Sequence, residues 1–287
     1  MDIRKATIAD REAIFKIWLS CFSDDETYIN NYLKYCFPHT ITLLLGEKEQ
    51  GDVSVISILP SYFIHNSITY TGGYLYGVGT LPEFRGRSYS SLLLKEGLEL
   101  IEKEGYDYFL VKPATESLFS LYRRLGFNKD LFNKNTIIRP NKSHLEKRSI
   151  EDLSATDSAL FHSMREDKLF NKSFLWPNEV LSYTIREITG RGGFLLFDKL
   201  TGHYCAGYTS ENNAYLQILE TSIDLIEFEK VFGNELMSRY PDIMTWEIEG
   251  HSSERDQVDQ KLSALIMDIR PGVSSLCSQY NLSLPME

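Results

Sequence analysis

Apolar and polar positions along the chain divide it into two halves that repeat one order of elements. In the first, residues 3–7 form a short strand, and 10–22 and 25–35 carry apolar residues at the spacing of one helical face. Runs rich in β-branched and aromatic residues follow at 41–46, 52–65 and 67–80, with Gly51 and Asn66-Ser67 as turns and a break expected at Pro60. They predict an antiparallel meander. From 86 to 104, Leu93, Leu100 and Ile101 fit a helix that Gly105 ends. A strand at 107–112, a helix at 116–125 and a strand at 131–139 complete the half.

The second half predicts helices at 155–167 and 178–189, strands at 193–198, 203–209 and 214–221, a helix at 225–240 and a strand at 243–249. Laying Tyr74 to Thr80 on Tyr215 to Thr221, an offset of 141 residues, puts a helix and then a strand at matching distances in both halves. The reading is a structural repeat with a boundary near Pro140-Asn141-Lys142. It gives domains at 1–140 and 146–287, each an α/β (α+β) fold with a mixed, mostly antiparallel sheet flanked by helices.

The length of 287 residues agrees with two cores. No apolar run approaches the roughly 18 residues of a membrane span, and no basic region followed by an apolar one opens the chain, so a cytoplasmic protein without membrane partners is expected. The four cysteines form no CxxC pair and the six histidines no ligand spacing, which predicts buried thiols and no metal. A net charge of -10 argues against nucleic acid. Its distribution is uneven: residues 1–140 carry -1 and residues 141–287 carry -9. Within the near-neutral half, Arg85, Arg87, Lys112, Arg123, Arg124 and Lys129 cluster, which suits an anionic ligand there or solvated helix faces.

The segment from Gly77 to Leu94 carries the most chemistry. A strand turns through Pro82 into a helix that begins at the basic stretch Arg85-Gly86-Arg87. The first helical turn has amides without intrahelical partners and a positive partial charge, so it can hold a pyrophosphate, and both arginines would reinforce it.

Arg85-Gly86-Arg87-Ser88-Tyr89-Ser90 resembles the pyrophosphate loop of the GNAT superfamily of acyl-CoA-dependent N-acetyltransferases, [RQ]-x-x-G-x-[GA]. The preceding run from Tyr76 is especially similar to tandem-domain members of the Eis type. Two positions depart from the pattern: Ser88 stands for the first glycine and Ser90 for the second small residue. Serine begins helices well and its hydroxyl can donate to phosphate, so a modified site is expected.

The resemblance implies acetyl-CoA as cosubstrate, held by the loop residues Arg85 to Ser90 and by Val78, Gly79 and Thr80 at the end of the fourth strand. It also implies that Tyr122, ahead of Leu125-Gly126-Phe127, is the general acid at the departing thiolate, a role open to a phenol of pKa about 10. Leu118, Leu121, Tyr122 and Leu125 equally make a core stripe. Thr115 stands where many relatives have asparagine. Tyr74 occupies the position of a glutamate base in some relatives, no carboxylate replaces it, and the base stays unassigned.

In the second half the counterpart of the loop, Ser222 to Glu229, has three acidic residues and no glycine, so it would repel phosphate. The resemblance thus implies an acetyltransferase acting on a small-molecule primary amine. It also implies that the loop between the first two helices, with Asp24, Asp25 and Glu26, lines the acceptor cleft beside Tyr74; with the acidic second half this makes a cationic amine the expectation, although solubility explains the same charge. The rivals are another acyl donor or a hydroxyl acceptor, and an inactive tandem protein that senses CoA or binds a partner.

Overall fold

The computed structural model describes residues 1–141, 145–210, 212–250, 259–277 and 280–284. These divide into two compact units, residues 1–130 with 264–277, and residues 131–263 with 280–284.

In the first unit, β1 (Asp2–Lys5) leads into α1 (Arg11–Cys21) and α2 (Glu26–Asn31), whose axis continues as a wider turn through Cys36. Strands β2 (Ile41–Glu47), β3 (Gly51–His65) and β4 (Ile68–Thr80) then form the expected antiparallel meander. Asn66 and Ser67 both take positive φ, 50° and 63°, as the two central residues of a tight hairpin require. Pro60 does not break β3. It pairs with Gly73 of β4 and lies past Ile58, the last residue joined to β2, on a stretch where a missing N–H forfeits no β2 bond.

Helix α3 (Tyr89–Lys103) presents Leu93, Leu94, Gly97 and Ile101 to the sheet and stops at Gly105, whose φ is 79°. It starts later than its apolar pattern suggests, because Gly86 and Ser88 have φ of 79° and 62° and cannot continue a right-handed helix. Strand β5 (Tyr108–Val111) is parallel to β4, and α4 (Glu116–Arg124) follows. One core joins Leu43, Ile56, Leu75, Leu93, Ile101, Phe109 and Phe127 beneath α3 and α4. Truncating Leu93, fully buried there, to alanine costs about 2–5 kcal/mol. On the opposite face Trp18 of α1 stacks on Tyr32 at 4.2 Å and meets Tyr76 edge-on at 5.6 Å.

The second unit runs β6 (Lys129–Ile138, within it from residue 131), β7 (Ile150–Asp152), α5 (Ser158–Leu169), α6 (Asn178–Gly190), β8 (Phe194–Asp198), β9 (Tyr204–Thr209), β10 (Leu216–Thr221), α7 (Leu225–Arg239) and β11 (Trp246–Glu249). Its strand order is β6-β11-β10-β9-β8-β7, with β10 and β11 parallel. Phe194, Leu216, Ile218, Phe228, Phe232, Leu236 and Trp246 form its core.

The last elements, β12 (Asp259–Asp268) and α8 (Val273–Cys277), lie where the periodicity assigns none. Residues 265–268 of β12 pair antiparallel with β5, and β6 pairs antiparallel with β11. Each unit therefore takes the strand beside its parallel pair from the other half of the sequence. Residues 131–138 belong to the second unit and 264–277 to the first, so the units are discontinuous where the sequence suggests contiguous domains. Part of the expected boundary, Lys142, lies outside the described residues.

Candidate functional site in the first unit

The site begins with a defect in a strand. Ser57 faces Tyr76 and Val55 faces Gly79, so β4 fits one more residue than β3 between these pairs, a bulge at Gly77-Val78. Gly77 has φ 57°, and a Cβ on it would lie 2.4 Å from Cζ2 of Trp18. Glycine is required there twice over, by backbone sign and by space. The β4–β5 ladder ends at Leu75↔Val111, while β4 continues to Thr80. Past that pair β5 has ended, and β4 runs on toward the loop paired with β3 only.

The strand end is fastened on its β3 side: Ser54 Oγ donates to the Gly79 carbonyl at 2.9 Å and shares a 2.7 Å hydrogen bond with Thr80 Oγ1. Arg85 Nε donates to the Thr80 carbonyl at 3.1 Å, so this arginine is folded back on the strand. Cys21 lies against the same Arg85 and Thr80, and burial pushes its thiol pKa up in spite of them. Arg87 places its guanidinium 5.0 Å from the Phe84 ring centroid and is exposed.

Ser88 is the residue before α3, in the left-handed region at φ 62° and ψ 22°. It makes no side-chain cap, contrary to the expectation of a helix-starting serine; its backbone does what a glycine would do. Tyr89 is a buried anchor whose hydroxyl donates to Glu47, so any contact it makes with a ligand is through the main chain. Ser90 is half-buried in the first turn. A Cβ on Gly86 would meet nothing within 4 Å, which leaves room beside the first-turn amides.

Val78, Leu81, Phe84, Tyr89 and Tyr122 pack into the same apolar core, which brings the strand end, the loop and α4 together. Tyr122 is only 6% exposed, meets Phe127 edge-on at 5.8 Å, and is pushed up to about 12 by burial. It therefore stays protonated at every physiological pH. Arg123 of the basic cluster is paired with Asp130 at 2.8 Å.

On the other face, Asp24, Asp25 and Glu26 sit where the chain enters α2. Asp25 accepts from the Tyr28 backbone N–H at 2.8 Å and thus caps that helix; Glu26 is exposed and Asp24 half-buried. Tyr74 is buried under Tyr76 at 6.2 Å, and Tyr76 shares a hydrogen bond with Tyr28 of α2. The sequence reading missed Trp18, because Ile14, Ile17 and Trp18 read as one core stripe. Its indole sits on the bulge with Nε1 buried and without a hydrogen-bond partner in the structure.

Residues 2–129 match the family described as acetyltransferase (GNAT) domain. The first unit is built on a GNAT acetyltransferase domain. Acyl transfer is the chemistry of that family. Similar solved structures include a protein of Enterococcus faecalis V583 described as a probable N-acyltransferase, with a TM-score of 0.74 and 12% identity over 94% of this chain and 73% of that one. Eis1 from Mycobacterium abscessus has a TM-score of 0.68 and 11% identity over 94% and 74%. A putative acetyltransferase from Pyrococcus horikoshii has a TM-score of 0.58 and 15% identity over 98% and 93%. At these identities the likeness concerns the fold. No curated protein matches the chain. Among the described residues, no helix is long and apolar enough to cross a membrane.

Proposed function

We propose that this protein binds acetyl-CoA once, in the first unit, and transfers the acetyl group to a primary amine of a small cationic molecule in the cytoplasm. The observation that carries the reading is the bulged β4 running past the end of β5 into the start of α3, where a glycine and a left-handed serine leave the first-turn amides without a side-chain cap. Those amides suit a pyrophosphate, with Arg87 beside them. The main chain of Val78, Gly79 and Thr80 suits the amides of the pantetheine arm.

The chemistry needs no covalent enzyme intermediate. A bound thioester supplies an activated carbonyl; the amine nitrogen forms the new C–N bond, the C–S bond breaks, and the amine's proton leaves to solvent or a base. A bulge amide would stabilise the developing oxyanion. Burial changes the expected role of Tyr122. A phenol near 12 is a poorer acid than a thiol of about 8.5, so complete proton transfer to a thiolate runs uphill. Donation of a hydrogen bond to the departing sulfur is the role it suits.

Tyr122→Phe should lower kcat roughly 10²-fold, within the range for lost acid or hydrogen-bond catalysis, and leave CoA affinity within a few-fold. Release of free thiol across a panel of amines measures this. Because Tyr122 keeps its proton up to about pH 12, the wild-type rate should not fall through the ordinary tyrosine range near pH 10. Wild-type turnover in the mutant with a lower Tm would make Tyr122 a core residue only. The strained Ser88 and the inward-folded Arg85 favour a second reading, an inactive CoA-binding protein; CoA binding without turnover on any amine would establish it.

A further inference from the structure

The second unit contains a cavity of about 600 Å³ in the place that corresponds, element for element, to the thioester site of the first. Strand β10 has its own bulge: Ile218 faces Gly207 and Glu220 faces Ala206, so Leu219 is the extra residue, 141 positions after Val78. Its parallel pairing with β11 ends at Ile218↔Ile248. The cavity opens beyond that point, between Glu220 to Asp224, the start of α7, and the end of β11 at Glu249.

Its floor is polar and buried. Glu220, 2% exposed, receives Arg165 Nε at 2.9 Å, Arg165 Nη2 at 2.8 Å, the Tyr204 hydroxyl at 2.8 Å and the Ser283 hydroxyl. Arg165 neutralises Glu220, so this network sets a rigid wall and leaves the charge of the cavity to other groups. Three of these are carboxylates: Asp224, Glu227 and Glu249. Against them stand Lys172 and Lys230, the latter paired with Glu227 at 3.1 Å, while Glu249 accepts from Gln217 Nε2 at 2.7 Å. His203 is held below its ordinary pKa by burial first and Lys168 second and adds no charge at pH 7, so the carboxylates remain in excess by one.

An anion is doubly disfavoured. Asp224 Oδ1 accepts from the backbone N–H groups of Ile226 and Glu227, both at 3.0 Å, so the amides a phosphate would use are already engaged by a carboxylate. A metal ion does not suit the site either, since among the described residues no three of His, Cys, Asp and Glu converge to hold one. Carboxylates set around a cavity of this size, with the buried hydroxyls of Ser173, Ser222 and Ser283 in its wall, suit an extended molecule with more than one positive charge.

We infer that the second unit is a binding site for a small aliphatic polyamine, formed by reversing the sign of a CoA-type cleft. The inference goes beyond the proposed reaction and does not depend on it. The test is calorimetric titration of the full chain, without acetyl-CoA, with putrescine and spermidine at about 0.15 M salt. The wild type should show saturable binding, tighter for spermidine. Glu227→Gln/Glu249→Gln, which keeps shape and removes two charges, should weaken it at least tenfold and lower Tm by only about a degree or two, as loss of the exposed Glu227–Lys230 pair accounts for. The triple variant Asp24→Asn/Asp25→Asn/Glu26→Gln should leave this binding intact, which separates it from the acceptor site proposed in the first unit. The idea is overturned if neither amine binds, if the double variant binds as the wild type does, if only the triple variant loses binding, or if CoA or Mg²⁺ takes the place of the amine with the same sensitivity to the double variant.

Discussion

Helices α3 and α7 start in the same architectural place, each after a bulged strand whose parallel partner has ended, yet their first turns are opposite. At α3 the chain arrives through Gly86 and Ser88 at positive φ and supplies no side-chain cap. At α7 it arrives through Asp224 in extended conformation, and that carboxylate takes two first-turn amides. A cap contributes only about 1 kcal/mol to stability. Two like unit charges about 4 Å apart repel by roughly 4 kcal/mol at an effective dielectric near 20. The repulsion is the larger effect, so a capping aspartate turns a helix start against anions, and at α7 Glu227 in the first turn adds to it, while the backbone around it is retained.

The largest expected effect falls on the feature both units share. Gly77→Ala forces a side chain onto positive φ and into Trp18, and should destabilise the protein by roughly 2–5 kcal/mol, the sum of a left-handed residue and an overpacked contact. Thermal unfolding would register this as a drop of many degrees; a drop under two degrees would mean the bulge is not held as described.

Transplanting the difference comes next. Ser88→Asp puts a carboxylate at the start of α3, and aspartate tolerates the left-handed region. CoA at about 100 times its Kd should protect the wild type by roughly 2.7 kcal/mol and this variant by almost nothing. Full protection of the variant would remove α3 as the phosphate site.

Asp224→Ala should cost about 1 kcal/mol as a lost cap. It should not confer CoA binding on the second unit, because Glu227 remains in the first turn of α7. Gain of a second CoA per chain in equilibrium dialysis would show that one aspartate is the whole difference. The smallest change is expected from Ser88→Gly. Relief of the left-handed strain and the greater flexibility of unfolded glycine nearly cancel, leaving stability within about 0.5 kcal/mol.

Much of this is legible in the order of residues along the chain. The β3–β4 hairpin followed from its two apolar runs and Asn66-Ser67, and the turn from β4 into α3 from Pro82 and the glycine-containing stretch after it. The offset that aligned Val78 with Leu219 brought the two bulges into register. Other features were hidden for identifiable reasons. Pro60 reads as a breaker because a sequence does not say that β2 has already left the ladder. Ser88 reads as a cap because its φ is a property of the loop it closes.

What the sequence alone determined is local: periodicity, turn chemistry, the sign of each half's charge and the acidic replacement of the second loop all act between residues near in the chain. Tertiary structure decided what depends on distant partners. It placed β12 against β5 across more than a hundred residues, because the hydrogen bonds of a strand edge can be met by any extended segment of matching register. It set Trp18 on Gly77 and buried Tyr122, turning a phenol of ordinary acidity into one that holds its proton to about pH 12, because desolvation is fixed by what surrounds a group and not by its neighbours in sequence.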